Sequence, residues 1–324
     1  MCQLGLKSNI PLPELPPASG KEAECSFQLS AAREPCHTPG EWFHHWCFPD
    51  GKIWLAFARV GPDYLLRFPE LADFVVSADG KQIRCLQMSA TPVETIRHLL
   101  LDQVIPLVLS KRGELVLHAS AVETPRGAIA FLGTTGWGKS TLAASFSEQG
   151  FRFLTDDCLL LKESGQQLVV IPSYPGLRLW PEAVSALFED EPGLSQVAHY
   201  TVKKRVSRNG GLRFSSEPVP LRRMYFLVAP EEARAAISIN AVSPREAFIE
   251  LVKYAYVLDI TDRERLKEDF QRVSRLAVLP LFYRVAFPRD FSLLPAVRQA
   301  ILDHLREAQG GDASGDARRP GQDS

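Results

Sequence analysis

The stretch FLGTTGWGKSTLAASF, residues 131–146, constrains this chain more than any other. It spaces Gly133, Gly136 and Gly138 over six positions, then sets Lys139, Ser140 and Thr141 in a row. Gly133 through Ser140 fits G-x-x-x-x-G-K-[ST], and the motif requires a strand before it and a helix after it. AIAFLG reads as a buried strand, and KSTLAASFSEQG reads as a helix that stops at Gly150. Glycine backbones adopt conformations that other residues resist, so successive N–H groups can turn inward. With the helix N-terminus they form an anion cradle. Side chains in their place would block a phosphate. The predicted nucleotide contacts are Gly133, Thr134, Thr135, Gly136, Trp137, Gly138, Lys139, Ser140 and Thr141. Lys139 suits the β- and γ-phosphates, and the Ser140 hydroxyl suits Mg²⁺.

Around this loop the chain reads as many strands and a minority of helices, which predicts a mixed sheet and not a regular βαβ alternation. Residues 42–87 read as strands, with Asp-Gly hairpin signals in PDGK and ADGK. Residues 92–110 have helical spacing, with a kink or an end expected at Pro106. The predicted organisation is a disordered N-terminus (1–25), a small β-rich module plus helix (26–112), the domain carrying the loop (113–308) and a loose tail (309–324).

The formal net charge is −1, which argues against nucleic-acid binding driven by bulk positive charge. Six scattered cysteines without a CxxC read as reduced thiols. No signal peptide and no membrane-spanning run is recognisable. These readings lead to the expectation of a cytoplasmic protein.

Four further features are candidates for chemistry. Asp156-Asp157 follows the strand-like FRFL. One carboxylate can bind Mg²⁺ while the other takes a proton from an attacking hydroxyl, or the pair is an ordinary Asp-rich turn. If the two lie close together, mutual repulsion raises the pKa of one of them. His118, in LVLHASAV, is either a core residue or a partner of that pair. Arg178, in YPGLRLWP, can contact phosphate or substrate, or be an ordinary surface arginine. The basic stretch 202–220, with Lys203, Lys204, Arg205 and Arg208, reads as a lid over phosphate or an acidic peptide, or as a solvated loop. Cys36, His37, His44, His45 and Cys47 match no zinc spacing and are expected to pack in a strand.

LHASAV, followed by GAIAFLGTTGWGKSTLAASFSEQGFRFLTDDCLLL, resembles the catalytic domain of bacterial HPr kinase/phosphorylase. It is closer still to the HPr-kinase-related proteins found beside peptide-modification genes. The likeness is specific over residues 114–162 and weaker through IPSYPGLRLWPEAVSALF. It implies the fold shared with ATP-dependent phosphoenolpyruvate carboxykinases, an α/β (α+β) domain with a mixed, largely antiparallel sheet. It also implies ATP and Mg²⁺ as cofactors and phosphoryl transfer to a serine hydroxyl. The matching positions make Asp156 the base, Asp157 the metal partner with Ser140, and His118 a neighbour that tunes the pair. The chain departs from the bifunctional enzyme at Ala119 and Trp137, and no segment corresponds to the signature used for phosphorolysis. The expected acceptor is a serine-containing peptide or small protein, with no nucleic acid and no membrane as partner. A small-molecule hydroxyl acceptor, a non-catalytic ATP sensor and a homo-oligomeric state remain open.

Overall fold

The computed structural model describes residues 4–17, 22–30, 39, 41–88, 91–188, 194–207, 212–232 and 236–307. The expected tail at 309–324, and Arg208, Cys36 and His37, lie outside the described residues.

The N-terminal half is a seven-stranded sheet: β1 (Leu6–Ser8), β2 (Cys25–Ser30), β3 (Trp42–Cys47), β4 (Ile53–Val60), β5 (Asp63–Phe68), β6 (Ala72–Val76) and β7 (Gln82–Gln87). Its order is β1-β2-β7-β6-β5-β4-β3, parallel at β1–β2 and β2–β7 and antiparallel elsewhere. Both Asp-Gly signals sit in hairpin turns, where Gly51 and Gly80 have φ of 84° and 66°. On β3, His44 and Trp46 pack on Phe57, with ring centroids 5.3 and 5.2 Å away.

The expectation of disorder over residues 1–25 is corrected for its described part. β1 adds to the open edge of β2, and the carboxylate of Glu14 is clamped by Arg97 Nε at 2.9 Å and Arg205 Nη1 at 2.7 Å. The segment is too short to build a core of its own; edge hydrogen bonds, two arginines and the packing of Leu4, Leu6, Ile10 and Leu12 on the core hold it in place.

A helical segment follows: α1 (Val93–Leu99), a π-helical turn (Leu100–Val104) and α2 (Ile105–Lys111). Pro106 does not end it. Proline lacks an N–H and crowds the carbonyl four residues earlier, here that of Asp102. The backbone widens just before it, and the Ile105 N–H reaches the Leu100 carbonyl. Leu100, Val104 and Val108 from this segment share one buried cluster with Leu66 and Phe74 of the first sheet and with Val116 and Leu160 of the second.

The second sheet has nine strands: β8 (Leu115–Leu117), β9 (Ala119–Thr124), β10 (Gly127–Leu132), β11 (Arg152–Thr155), β12 (Leu159–Ser164), β13 (Gln167–Ile171), β17 (Val219–Leu227), β18 (Ser238–Ala241) and β19 (Phe282–Ala286). β10–β17 and β17–β19 are parallel, and the other pairs are antiparallel. The sheet is therefore mixed and largely antiparallel. Side chains alternate across β10. Ile129 and Phe131 face α3 (Lys139–Glu148) and α7 (Leu294–Glu307), whereas Ala128, Ala130 and Leu132 face α5 (Pro244–Tyr254) and α6 (Arg263–Ala277). Ser243 and Glu246 form a capping box that starts α5.

Between β13 and β17 lie α4 (Pro181–Leu187) and a small sheet in the order β14 (Gly176–Leu179), β16 (Lys204–Ser207), β15 (Ser195–Gln196). This corrects the lid expectation for residues 202–220 in part. Lys204 and Arg205 sit in a strand paired to β14, and Phe153 N–H donates to the Arg213 carbonyl at 2.7 Å. Among the described residues, no helix is long and apolar enough to cross a membrane.

Candidate active site

The loop 133–138 leaves the end of β10 and opens α3. Gly136 and Gly138 have φ of 89° and 93°, the left-handed region that other residues enter only with strain. Gly133 serves a different need. A Cβ there would lie 3.1 Å from Trp137 Cε3 and 3.3 Å from Leu227 Cβ, so a larger residue would crowd Trp137 where it packs at the base of the loop. The first amides of α3 have no intrahelical acceptor. Thr134, Thr135 and Gly136 are exposed, and Ser140 and Thr141 are half-buried. Lys139 is buried, and its Nζ donates to the Gly133 carbonyl at 2.7 Å. Burial lowers its pKa, although Asp157 and Asp156 oppose the shift.

The two aspartates follow β11, which runs antiparallel to β9. Asp156 is buried. Its Oδ1 accepts from Ser120 Oγ at 2.5 Å and from Ser140 Oγ at 2.9 Å, and its Oδ2 accepts from the Arg178 backbone N–H at 3.2 Å. Asp157 has φ of 62°, an uncommon conformation for a residue other than glycine. Its carboxylate meets His118 Nε2 at 3.4 Å and Arg178 Nη2 at 2.7 Å. The metal partner expected for Ser140 was Asp157, but the hydroxyl pairs with Asp156.

Arg178 is not a surface arginine. It is 4 % exposed and lies among three carboxylates. Nη1 is 3.0 Å from Asp102 Oδ2, Nε is 3.6 Å from Asp156 Oδ2, and Nη2 meets Asp157. Burial disfavours its charge, but Asp102, Asp157 and Asp156 outweigh burial and raise its pKa well above the ordinary value. Asp102 is in turn bonded by His98 Nδ1 at 2.7 Å and by the Tyr174 hydroxyl.

The electrostatics separate the two aspartates. Burial raises the pKa of Asp156, and the neighbouring charge of Asp157 adds to the shift. Burial also acts on Asp157, but Arg178, His118 and Lys139 overcome it and hold its carboxyl far below the usual range. His118 is pushed down to about 4, first by burial and then by Lys139 and Arg178, against the pull of Asp157. Its ring is therefore neutral near pH 7. The Tyr256 hydroxyl lies 3.1 Å from Nδ1, and burial keeps that phenol protonated. The ionised Asp157 carboxylate offers only acceptors, so a neutral ring facing it carries its proton on Nε2 and accepts the phenol's hydrogen bond at Nδ1. The His118 backbone N–H donates to the carbonyl of Tyr254, the last residue of α5, at 2.7 Å, so the end of α5 holds the His118 backbone and Tyr256 just after it contacts the ring.

Lys203 stands at the start of β16 with its Nζ 5.2 Å from the Trp180 ring centroid, and its charge reaches His118, Lys139 and Asp157. Arg205 points to Glu14 instead. The structure thus gathers Lys139, Ser140, Asp156, Asp157, His118 and Arg178 at one place.

Sequence reasoning missed Asp102, Ser120, Tyr174 and Tyr256. Ser120 had a signal: it lies two residues after His118, on the same side of an extended chain. Asp102 had a weaker one, as a lone acid in the apolar run LLLDQVIP. A charge buried there requires a cationic partner, but the local sequence does not say which.

No protein-family model matches the sequence, and no curated protein matches it. Among solved structures, the chain is similar to the Hpr(Ser) kinase/phosphatase from Coxiella burnetii. The identity is 13 %, the match covers 61 % of this chain and 95 % of that one, and the TM-score is 0.37.

Proposed function

We propose that this protein is an ATP- and Mg²⁺-dependent kinase that transfers the γ-phosphate to an alcohol, a serine hydroxyl of a peptide or small protein. The observation that carries the reading is the 2.9 Å hydrogen bond between Ser140 and Asp156, directly beside the glycine loop and Lys139. The buried Arg178 joins them, so a hydroxyl, carboxylates, a lysine and an arginine share one site, which supports the reading. The resemblance of residues 114–162 to HPr-kinase-like proteins supports the same reading.

The donor set fits Mg²⁺. Among the described residues there is no group of three or more His, Cys, Asp or Glu side chains that would cage a metal. Mg²⁺ needs no such cage, because it commonly takes one or two protein oxygens and completes its shell with phosphates and water. Ser140 Oγ and Asp156 Oδ1 would hold it. When bound, the ion neutralises charge on the β- and γ-phosphate oxygens.

The chain's own residues would do the rest. The loop amides and the start of α3 bind the phosphates. Lys139 exchanges the Gly133 carbonyl for phosphate oxygens. Arg178, fixed by Asp102, keeps Asp157 ionised and oriented. The acceptor oxygen bonds to the γ-phosphorus as the bond to the β–γ bridging oxygen breaks, and the acceptor proton passes to Asp157. This exchanges the two roles expected from sequence. Asp156 has its oxygens engaged by Ser120, Ser140 and the Arg178 amide, whereas Asp157 is partly exposed. A strong base is not needed, because phosphoryl transfer rests mainly on positioning and charge neutralisation. The Nε2–H of neutral His118 orients Asp157.

The test is mass spectrometry of serine peptides and small hydroxy-compounds incubated with protein, ATP and Mg²⁺. The expected result is one phosphate gained by a peptide, lost in Lys139→Ala and in Asp157→Asn. Transfer at the wild-type rate by Asp157→Asn sinks the base assignment. Absence of magnesium-nucleotide binding in calorimetry sinks the whole reading.

A further inference from the structure

A second cation reaches the glycine loop from a strand that sequence reasoning left unused. β19 runs parallel to β17, and β17 parallel to β10, so the chain leaves β19 at the same sheet edge where the loop leaves β10. Arg289 lies just beyond β19. Its guanidinium carbon sits 4.2 Å from the Phe287 ring centroid, and its Nη2 donates to the Val228 carbonyl. A Cβ placed on Gly138 would lie 3.7 Å from Arg289 Nη1. The guanidinium therefore packs against the residue that starts α3.

The state of this arginine is unusual. Nε and Nη1 are buried and make no hydrogen bond among the described residues. Among the described residues no carboxylate offsets its charge, and burial acts in the direction that disfavours the cation. Arg178, in contrast, has three carboxylates. Arg289 is half-buried as a residue, but buried donors left idle on a cation cost free energy, and a bound anion removes that cost. Guanidinium donors match phosphate oxygens in geometry as well as charge.

We propose that Arg289 contacts the phosphate chain of the nucleotide held in the loop, presenting Nε–H and Nη1–H to its oxygens. The inference rests on the nucleotide reading above and assigns a binding residue to it. Lys139 and Arg289 would then act on one polyanion from two different elements.

The test is the affinity of the full chain for ATP, measured by calorimetry, and for adenosine, measured by displacement of a fluorescent ATP analogue. Arg289→Gln is expected to weaken ATP by roughly 10- to 100-fold, the value of one or two hydrogen bonds to a charged group. Adenosine affinity should stay unchanged, and Arg289→Lys should fall between wild type and Arg289→Gln. Equal ATP affinity in wild type and Arg289→Gln overturns the proposal and leaves the nucleotide reading standing. Equal losses for ATP and adenosine, or a lowered Tm with no change in the ATP-to-adenosine ratio, assign Arg289 a structural role and also overturn it. Failure of the wild-type protein to bind ATP sinks the nucleotide reading itself.

Discussion

Arg178 Nη1 lies 3.0 Å from Asp102 Oδ2, which ties the small sheet of β14 to the π-helical turn of the preceding half of the chain. Both side chains are buried, so neither charge has water to fall back on. Asp102→Asn removes the counter-charge and keeps the shape. Breaking a buried pair in this way costs roughly 3–5 kcal/mol. Urea denaturation should show that loss, and phosphoryl transfer should fall as Arg178 shifts toward the remaining carboxylates. An unchanged denaturation midpoint would show that Asp102 does not carry Arg178.

Tyr256 helps to hold the His118 ring. Tyr256→Phe keeps the phenyl ring and its packing but leaves Nδ1 without its hydrogen-bond donor, so the ring loses a contact that aims Nε2–H at Asp157. The expected effect is a drop in kcat of roughly 3- to 10-fold, the value of one hydrogen bond, with KM for ATP unchanged. Steady-state kinetics at pH 7 decide it. Parallel losses in kcat and ATP affinity would point to a disturbed loop instead.

Acid should destabilise the fold through His118. Its folded pKa is about 4, below the ordinary 6.5. As pH falls below 6.5, the unfolded chain binds a proton on this ring that the folded chain does not, so stability is lost until pH nears 4. From pH 7 to pH 5 this one group costs about 2 kcal/mol. His118→Gln keeps a polar side chain without the titration. Urea unfolding at the two pH values should show a shallower acid loss for the variant, and equal losses would remove His118 as the source.

Gly138 holds φ of 93°, where an added Cβ meets nothing closer than 3.7 Å. Gly138→Ala is therefore penalised by backbone conformation and not by a clash. The conformational cost is roughly 1–2 kcal/mol. Relief of that strain would move the loop amides, so nucleotide affinity should fall by more than stability does. Calorimetry and thermal unfolding on the same sample compare the two.

Much of this was legible in the sequence wherever the cause is local. The glycine loop and helix α3 and the two Asp-Gly hairpins each follow from a few adjacent residues. The unbroken apolar run in AIAFLG marked a strand buried on both faces. Pro106 was a clear local signal with an uncertain response. The chain met the missing N–H by widening one turn, because Leu100, Val104 and Val108 on either side were already committed to the core. Residues 4–17 were misread because the composition describes the segment alone, whereas the edge of β2 and the pair Arg97–Arg205 hold it.

The sequence by itself determined a glycine loop that opens a helix, with a lysine and a hydroxyl at the start of that helix, since backbone freedom and helix polarity act within a few residues. It also determined that two acids follow shortly after. Only the tertiary structure decided that Ser140 meets Asp156 and not Asp157, that Asp102 holds Arg178 and Tyr256 contacts His118, and that Arg289 lies beside Gly138. Those relations depend on which charges become buried together. Burial is a property of the packed sheets and helices, so residues far apart in the chain acquired their roles only once water had been excluded from between them.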